Sequence, residues 1–208
     1  MRLVCISDTH NRTDDLQLPE GDVLVVAGDF CGAGTDYEVM KFHHFLSEQP
    51  HKHKVIVAGN HDWPFYRAAS PEVRVFKKSF TYLEDSGCEI GGVKFWGSPW
   101  QPEFFNWAFN LPRGKRLAQK WREIPTNTDV LITHGPPFGI LDTVPGGDSV
   151  GCKDLAAEVL FRIKPKAHIF GHIHYSYGID YKGSTTFANV SICTEGYAAD
   201  NPPIVVDV

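Results

Sequence analysis

The chain has 208 residues, 42% of them hydrophobic and 22% charged, with a formal net charge of −5. That size and balance describe one globular domain, and the acidic sum excludes a general electrostatic hold on a long polyanion such as duplex DNA. No apolar run approaches the roughly 18 residues of a helical membrane span. The five cysteines, odd in number and without Cys-x-x-Cys spacing, read as reduced thiols rather than a disulfide framework.

A first strand is expected over residues 2–7. No signal peptide is expected, because the apolar run at Leu3–Ile6 is too short for one, so the expected compartment is the cytoplasm. A second strand is expected over residues 22–27. Residues 36–48 have helical spacing, with Tyr37, Met40, Phe42, Phe45 and Leu46 on an apolar face. His43, His44, His51 and His53 lie on or after that helix without a partner at metal-ligand spacing, and read as surface or core histidines. A third strand is expected over 54–58, then a short helix after Pro64 that Pro71 interrupts. Residues 81–83 and 89–96 read as short strands, with Gly91-Gly92 offering a hairpin turn.

From Gly97 to Gly114 the periodicity dissolves into a segment rich in aromatics and proline. Loops of that kind are functional or are packed by their own side chains. A helix over 115–122, a strand over 129–133 and a glycine-rich loop from Pro136 to Gly151 follow. A helix over 152–163, a strand over 167–170, a hairpin of 177–180 with 185–188 and a last strand at 204–206 complete the pattern. The expected fold class is α/β: one domain over 1–208, a two-sheet β-sandwich flanked by helices.

Five of the apolar runs end in residue types that bind metals. They deliver Asp8-Thr9-His10, Gly28-Asp29, Gly59-Asn60-His61-Asp62, His134-Gly135 and Gly171-His172-Ile173-His174. Short apolar runs bounded by turn residues read as buried parallel strands, and such sheets bind ligands beyond the carboxyl ends of their strands. Asp8 and His10, two apart, point to the same side of an extended chain, and His172 and His174 repeat that spacing. Two Asp, four His and one Asn are more ligands than one ion takes. A central carboxylate bridging two ions gives each a mixed nitrogen and oxygen shell, which suits Mn, Fe or Zn and is poor for Ca or Mg. Two ions about 3.5–4 Å apart form the clamp used for in-line displacement at phosphorus.

These five motifs resemble those of the calcineurin-like metallophosphoesterases. The match extends along nearly the whole chain through Gly97-Ser98-Pro99-Trp100-Gln101-Pro102, Phe109-Asn110-Leu111-Pro112-Arg113-Gly114 and Asn201-Pro202-Pro203-Ile204. Those segments are similar to the metallophosphoesterase-domain-containing subfamily, itself similar to the class III cyclic nucleotide phosphodiesterases. The resemblance implies a first ion held by Asp8, His10, Asp29 and His174. It implies a second held by Asp29, Asn60, His134 and His172, with Asp29 as the bridge. It also implies a hydroxide shared by both ions as nucleophile. The chain keeps His172, where some relatives carry glycine.

His61 diverges from the metal of its neighbour Asn60 and is expected to donate a proton to the leaving oxygen or to stabilise its charge. Asp62 either orients His61 or caps the following turn. Asn60, His61 and Phe138 are the expected substrate contacts, Phe138 because its Gly-Pro-Pro-Phe-Gly loop follows His134. Trp100, Phe104, Phe105, Trp107 and Phe109 form a stacking wall or, for most of them, a packed loop core. Arg113 contacts phosphate or is solvated. The expected activity is hydrolysis of small phosphodiesters, such as nucleotides or cyclic nucleotides, by a phosphoric ester hydrolase. Phosphomonoesters or phosphoproteins are the alternative substrates, and a nucleotide-binding regulator with weak catalysis is the alternative class. The expected partners are a small phosphoester and no membrane or extended nucleic acid, with an oligomer open.

Overall fold

The apolar runs become strands of two facing sheets in the computed structural model, which describes residues 1–208. In chain order the elements are β1 (Arg2–Ile6), β2 (Val23–Ala27), α1 (Asp36–Glu48), β3 (His53–Val57), α2 (Trp63–Arg67), α3 (Pro71–Ser79), β4 (Thr81–Tyr82), β5 (Ser86–Ile90) and β6 (Val93–Ser98). Then come β7 (Gln101–Pro102), β8 (Asn110–Leu111), α4 (Lys115–Arg122), β9 (Val130–Thr133), α5 (Lys153–Ala157), β10 (Ala167–Phe170), β11 (Gly178–Lys182), β12 (Thr185–Asn189) and β13 (Ile204–Asp207). The first sheet runs β13-β1-β2-β3-β4 and the second β11-β12-β10-β9-β6-β5, while β7 and β8 pair separately. The centres of both sheets are parallel, and β13, β5 and β11 are antiparallel edge strands.

Strand alternation builds three apolar layers. Leu3, Cys5, Val25, Val55 and Val57 face Phe95, Val130, Ile132, Ile169 and Ala188 between the sheets. Their neighbours Val4, Ile6, Leu24, Val26 and Ile56 pack outward against Phe42 and Leu46 of α1 and Phe76 of α3. On the second sheet Leu131, Phe170 and Phe187 turn outward to Leu117 and Trp121 of α4 and Leu155 of α5. Central strands covered on both faces explain why the buried residues of β1, β2, β3, β9 and β10 are apolar except for Thr133 and His168.

The sheets join at one rim. Ser7, just past β1, pairs with Ser191, just past β12, through Ser7 N–H to the Val190 carbonyl (2.9 Å) and Ile192 N–H to the Ser7 carbonyl (2.8 Å). The carboxyl ends of the parallel strands from both sheets therefore open onto one place.

Local departures from the sequence reading have simple causes. Pro71 starts a helix rather than interrupting one, because a first-turn proline loses no helical hydrogen bond, and Ser70 caps it by accepting from Val73 N–H (3.2 Å). The expected helix over 152–163 passes from α5 into a π-helical stretch, Glu158–Ile163. A 3₁₀ turn, His174–Ser176, follows the His-x-His segment. No helix is long and apolar enough to cross a membrane.

Candidate metal centre

The chain leaves the strands in tight, left-handed turns. Asp8, His10, Asp29 and His172 have φ of 50°, 42°, 52° and 69°. Backbone in this region costs a non-glycine residue about 1–3 kcal/mol and persists only where its surroundings fix it. The turns let side chains from different strands converge, which an extended chain would not do. Expectation and structure thus differ in mechanism: Asp8 and His10 meet through turned backbone rather than along an extended chain. Glycines clear the space. A Cβ at Gly171 would collide with the Ser7 hydroxyl and the Asp8 carboxylate, and one at Gly28 would lie 2.6 Å from His134 Nδ1.

Asp8, His10 and His174 form one group whose ligand atoms lie within 4.8 Å of one another, and Asp29, His134 and His172 form a second. His10, Asp29 and His61 form a third that overlaps both. Asn60 joins the second group, its Oδ1 2.9 Å from His134 Nε2. All seven residues expected to bind metal are therefore gathered at the shared rim. Asp29 Oδ2 lies 3.9 Å from His10 Nε2 and 3.4 Å from His134 Nε2, between the two groups.

Backbone carbonyls set the histidine tautomers. His134 Nδ1–H donates to the Ala27 carbonyl (2.9 Å) and His174 Nδ1–H to that of Thr194 (3.0 Å), so each Nε2 faces inward. Asp8 Oδ2 accepts from the Ser7 hydroxyl, the Ser191 hydroxyl (2.9 Å) and His172 N–H (2.9 Å). Asp8 Oδ1, equally buried, has no hydrogen-bond partner and lies 3.3 Å from His174 Nε2.

Burial alone would raise the Asp8 and Asp29 carboxyls, but the histidines around them, His174 and His134 foremost, hold both well below the usual range. Burial would likewise lower His134, yet the Asp29 carboxylate beside it raises it to about 9, and Asp8 raises His174. His10 and His172 have no such dedicated partner, and burial pushes them down to about 4 and about 3.

An unpartnered buried carboxylate oxygen, the inward imidazole nitrogens and Asn60 Oδ1 beside His134 Nε2 converge on one place. This oxygen and nitrogen donor set fits borderline divalent ions. The groups Asp8, His10, His174 and Asp29, His134, His172 could each hold one, with Asn60 beside the second.

His61 stands beside this cluster. Its N–H donates to Asp29 Oδ1 (2.7 Å) and its ring Nδ1–H donates to the Gly32 carbonyl (2.6 Å), leaving Nε2 free. The Gly32 loop is itself tied down, since Glu38 at the start of α1 accepts from the N–H groups of Gly32 (3.1 Å), Ala33 (3.1 Å) and Thr35 (2.9 Å). The indole of Trp107 stacks on the His61 ring at 4.2 Å.

Asp62 takes neither role expected of it. It makes no bond to His61 and no side-chain cap to α2. Fully buried, its carboxylate accepts from the N–H groups of Gly59 (2.7 Å), Asp29 (2.9 Å) and Cys31 (2.9 Å). Burial and the Asp29 charge push its pKa up to about 8, against the pull of those bonds. Asp62 shapes the ligand loops rather than facing the reaction.

A cavity of about 400 Å³ opens over the cluster, with His10, Asp29, Asn60, His61, His172 and His174 in its floor. Phe104 lines its wall and meets the His172 ring edge-on at 5.8 Å. Phe138 does not line it; that ring lies under the Lys153 ammonium (4.8 Å), because the Pro136–Gly151 loop contributes Val144, Val150 and Gly151 instead. Arg113 is at the cavity edge, but its guanidinium donates to the carbonyls of Gly151 (2.7 Å) and Val150 (2.5 Å) and so ties that loop down. Of the aromatic segment, Trp100 and Phe109 pack into the core while Phe105 is exposed. Tyr197, which sequence reasoning missed, lies edge-on to His10 at 4.9 Å from a left-handed turn. No spacing in the sequence ties it to the motifs.

The sequence model of the family described as calcineurin-like phosphoesterase matches residues 1–176. The chain is 44% identical over 230 residues to metallophosphoesterase domain-containing protein 1 of Homo sapiens and to that of Mus musculus, covering 100% of this chain and 71% of each relative. A UPF0046 protein of Caenorhabditis elegans is 38% identical over 237 residues, covering 100% of this chain and 60% of that protein.

Proposed function

The chain belongs to the calcineurin-like phosphoesterases, metal-dependent hydrolases of phosphoesters, and on that premise we propose that it hydrolyses small phosphodiesters, nucleotides or cyclic nucleotides among them. The observation that carries this reading is Asp29 Oδ2, one carboxylate oxygen placed between His10 Nε2 and His134 Nε2. In the proposal Asp8, His10, Asp29 and His174 hold one divalent ion, and Asp29, Asn60, His134 and His172 hold the other, each Mn, Fe or Zn. Such ions supply Lewis acidity at the phosphoryl oxygens and lower the pKa of the attacking water.

The residues of the chain do the rest. Asp8, buried and hydrogen-bonded on one oxygen, keeps its other oxygen aimed into the site. His61, held by Gly32, presents Nε2 to the leaving group. The oxygen of the attacking water forms its bond to phosphorus as the ester P–O bond breaks. The electron pair of that bond stays on the leaving oxygen, which takes the Nε2 proton of a His61 ring protonated at both nitrogens and leaves it neutral with Nδ1–H on Gly32. Phe104 supplies an apolar wall for the ester's organic part.

A singly charged diester suits this cavity better than a phosphomonoester or phosphopeptide. Arg113 is its one Lys or Arg residue and is already bonded to two carbonyls, while Glu103 and Glu195 add negative charge to the lining. The five free thiols suit a cytoplasmic setting. The test is metal analysis of the purified protein combined with a hydrolysis screen of cyclic nucleotides, aryl diesters, aryl monoesters and a phosphopeptide. Two ions per chain and a preference for diesters are expected. A phosphopeptide cleaved with much higher kcat/KM than any diester would replace this reading with a phosphatase.

A further inference from the structure

Trp107 lies outside the five motifs, does not line the cavity, and yet covers one face of the imidazole assigned to leaving-group protonation. The ring centroids are 4.2 Å apart and the planes 25° from parallel. The His10 ring lies 4.6 Å from that of His61 in a T-shaped contact, and Nδ1 is bonded to the Gly32 carbonyl. The imidazole thus has one nitrogen anchored, one face covered and a second ring against it, contacts that all favour one orientation of Nε2.

The loop that carries Trp107 is built to hold this position. Ala108 N–H donates to the Asn60 carbonyl (3.2 Å), which fixes the loop to the residue preceding His61. The fully buried Gln101 donates from Nε2 to the Ala108 carbonyl (2.9 Å) and from N–H to that of Phe109 (3.1 Å). Asn110 donates to the carbonyls of Phe104 (3.0 Å) and Phe105 (3.1 Å). Each turn of the segment is held by a side chain from its own β7–β8 frame, and neither Gln101 nor Asn110 touches a candidate metal ligand.

We propose that Trp107 is a positioning residue for proton donation: its indole holds His61 Nε2 on the leaving oxygen, so Trp107 acts on the chemical step while Phe104 of the same loop lines the cavity. The inference rests on the reading of His61 as the proton donor. It assigns Trp107 no contact with substrate or ion, so its removal affects kcat and leaves KM and metal content unchanged.

The test compares W107F, W107A, H61A and the W107A/H61A double variant in the holoenzyme, on a nitrophenyl diester and an alkyl diester. H61A is expected to lose far more rate on the alkyl ester, whose leaving oxygen needs the proton most. W107A is expected to follow the same pattern more weakly, on the order of tenfold on the alkyl ester, the scale of one aromatic contact. W107F keeps an aromatic face and restores most of that loss, and in the H61A background W107A has no further effect.

In the zinc-loaded protein the His61 ring protons are expected upfield, shielded by the indole, and to move to the position of a solvated imidazole in W107A. A uniform loss across leaving groups in H61A would overturn the donor reading and this inference with it. A leaving-group-dependent H61A beside a W107A whose loss is uniform, falls on KM, or adds fully to that of H61A would overturn the positioning role alone. Because W107F conserves the packing, an unstable W107A leaves the test intact: W107F must retain the leaving-group pattern and the upfield ring protons.

Discussion

Asp29 and Asp62 brace each other's loops: the Asp62 carboxylate accepts from Asp29 N–H at 2.9 Å, and the Asp29 carboxylate accepts from the N–H of His61, next to Asp62, at 2.7 Å. The turn after β2 and the turn after β3 are thereby closed onto one another by two buried carboxylates, one facing the cavity and one facing away.

Removing Asp62 leaves the N–H groups of Gly59, Asp29 and Cys31 buried without an acceptor. Each unsatisfied donor costs about 1–3 kcal/mol. For a domain of this size 1 kcal/mol moves Tm by about 2–4 °C. D62A is therefore expected to melt on the order of ten degrees lower in a calorimetric scan, and D62N, which keeps one acceptor oxygen, to lose less. A wild-type Tm in D62A would show that water replaces the carboxylate.

Asp29 offers one oxygen to both ligand groups. D29A is expected to abolish activity and to reduce bound metal at both sites, whereas H172A, with its side chain in one group, should weaken chiefly one. Inductively coupled plasma measurement of ions per chain separates the two. Two tightly held ions in D29A would remove Asp29 from the bridging position.

At Gly171 the constraint is steric, since an added methyl would occupy the space of the Asp8 carboxylate and the Ser7 hydroxyl. G171A must displace Asp8 or open the rim between the sheets. The expected result is a folded protein with about a hundredfold lower kcat, the scale of an ångström-sized misplacement, together with weakened metal retention. Undiminished kcat and metal content would show that the rim yields without moving Asp8.

His168 supplies a pH dependence independent of the metal ligands. It is fully buried beside Phe170 and Phe187, and burial pushes its pKa down to about 3 from an ordinary 6.5. Its Nε2–H donates to the Thr133 hydroxyl at 2.8 Å, which passes its own proton to the Gly135 carbonyl. The native state keeps the ring neutral while the unfolded chain protonates it below pH 6.5. Stability is therefore intact above that value and falls with pH between about 6.5 and 3, by up to about 1.4 kcal/mol per pH unit for one proton. H168F is expected to show a shallower decline in urea midpoint from pH 6.5 to 4.5 than the wild type. Parallel declines would mean that His168 protonates in the native protein.

The strands and the convergence of the candidate ligands were legible because each motif is local: an apolar run predicts a buried strand, and the next few residues sit at its carboxyl end. The parallel register does the rest, bringing β1, β2, β3, β9 and β10 to one rim. The left-handed turns at Asp8, His10, Asp29 and His172 were not legible, because these residue types rarely take that backbone without tertiary support. Asp62 was misread because its three acceptor bonds reach backbone on two loops, 31 to 33 residues away for two of them. Trp107 and Tyr197 were equally hidden, since an aromatic in a loop gives no sign of which ring it will meet.

The two walls of the cavity have foundations of their own. The segment around Phe104 and Trp107 hangs on Gln101 and Asn110, and the Pro136–Gly151 loop is held by Asp142, accepting from the N–H groups of Gly139 and Gly151 (both 2.9 Å), and by Arg113. None of these anchors is a candidate metal ligand. Each wall is thus a separable cassette: exchanging one, anchors included, for the equivalent span of a relative should retune which ester is accepted while the metal-binding floor is inherited unaltered.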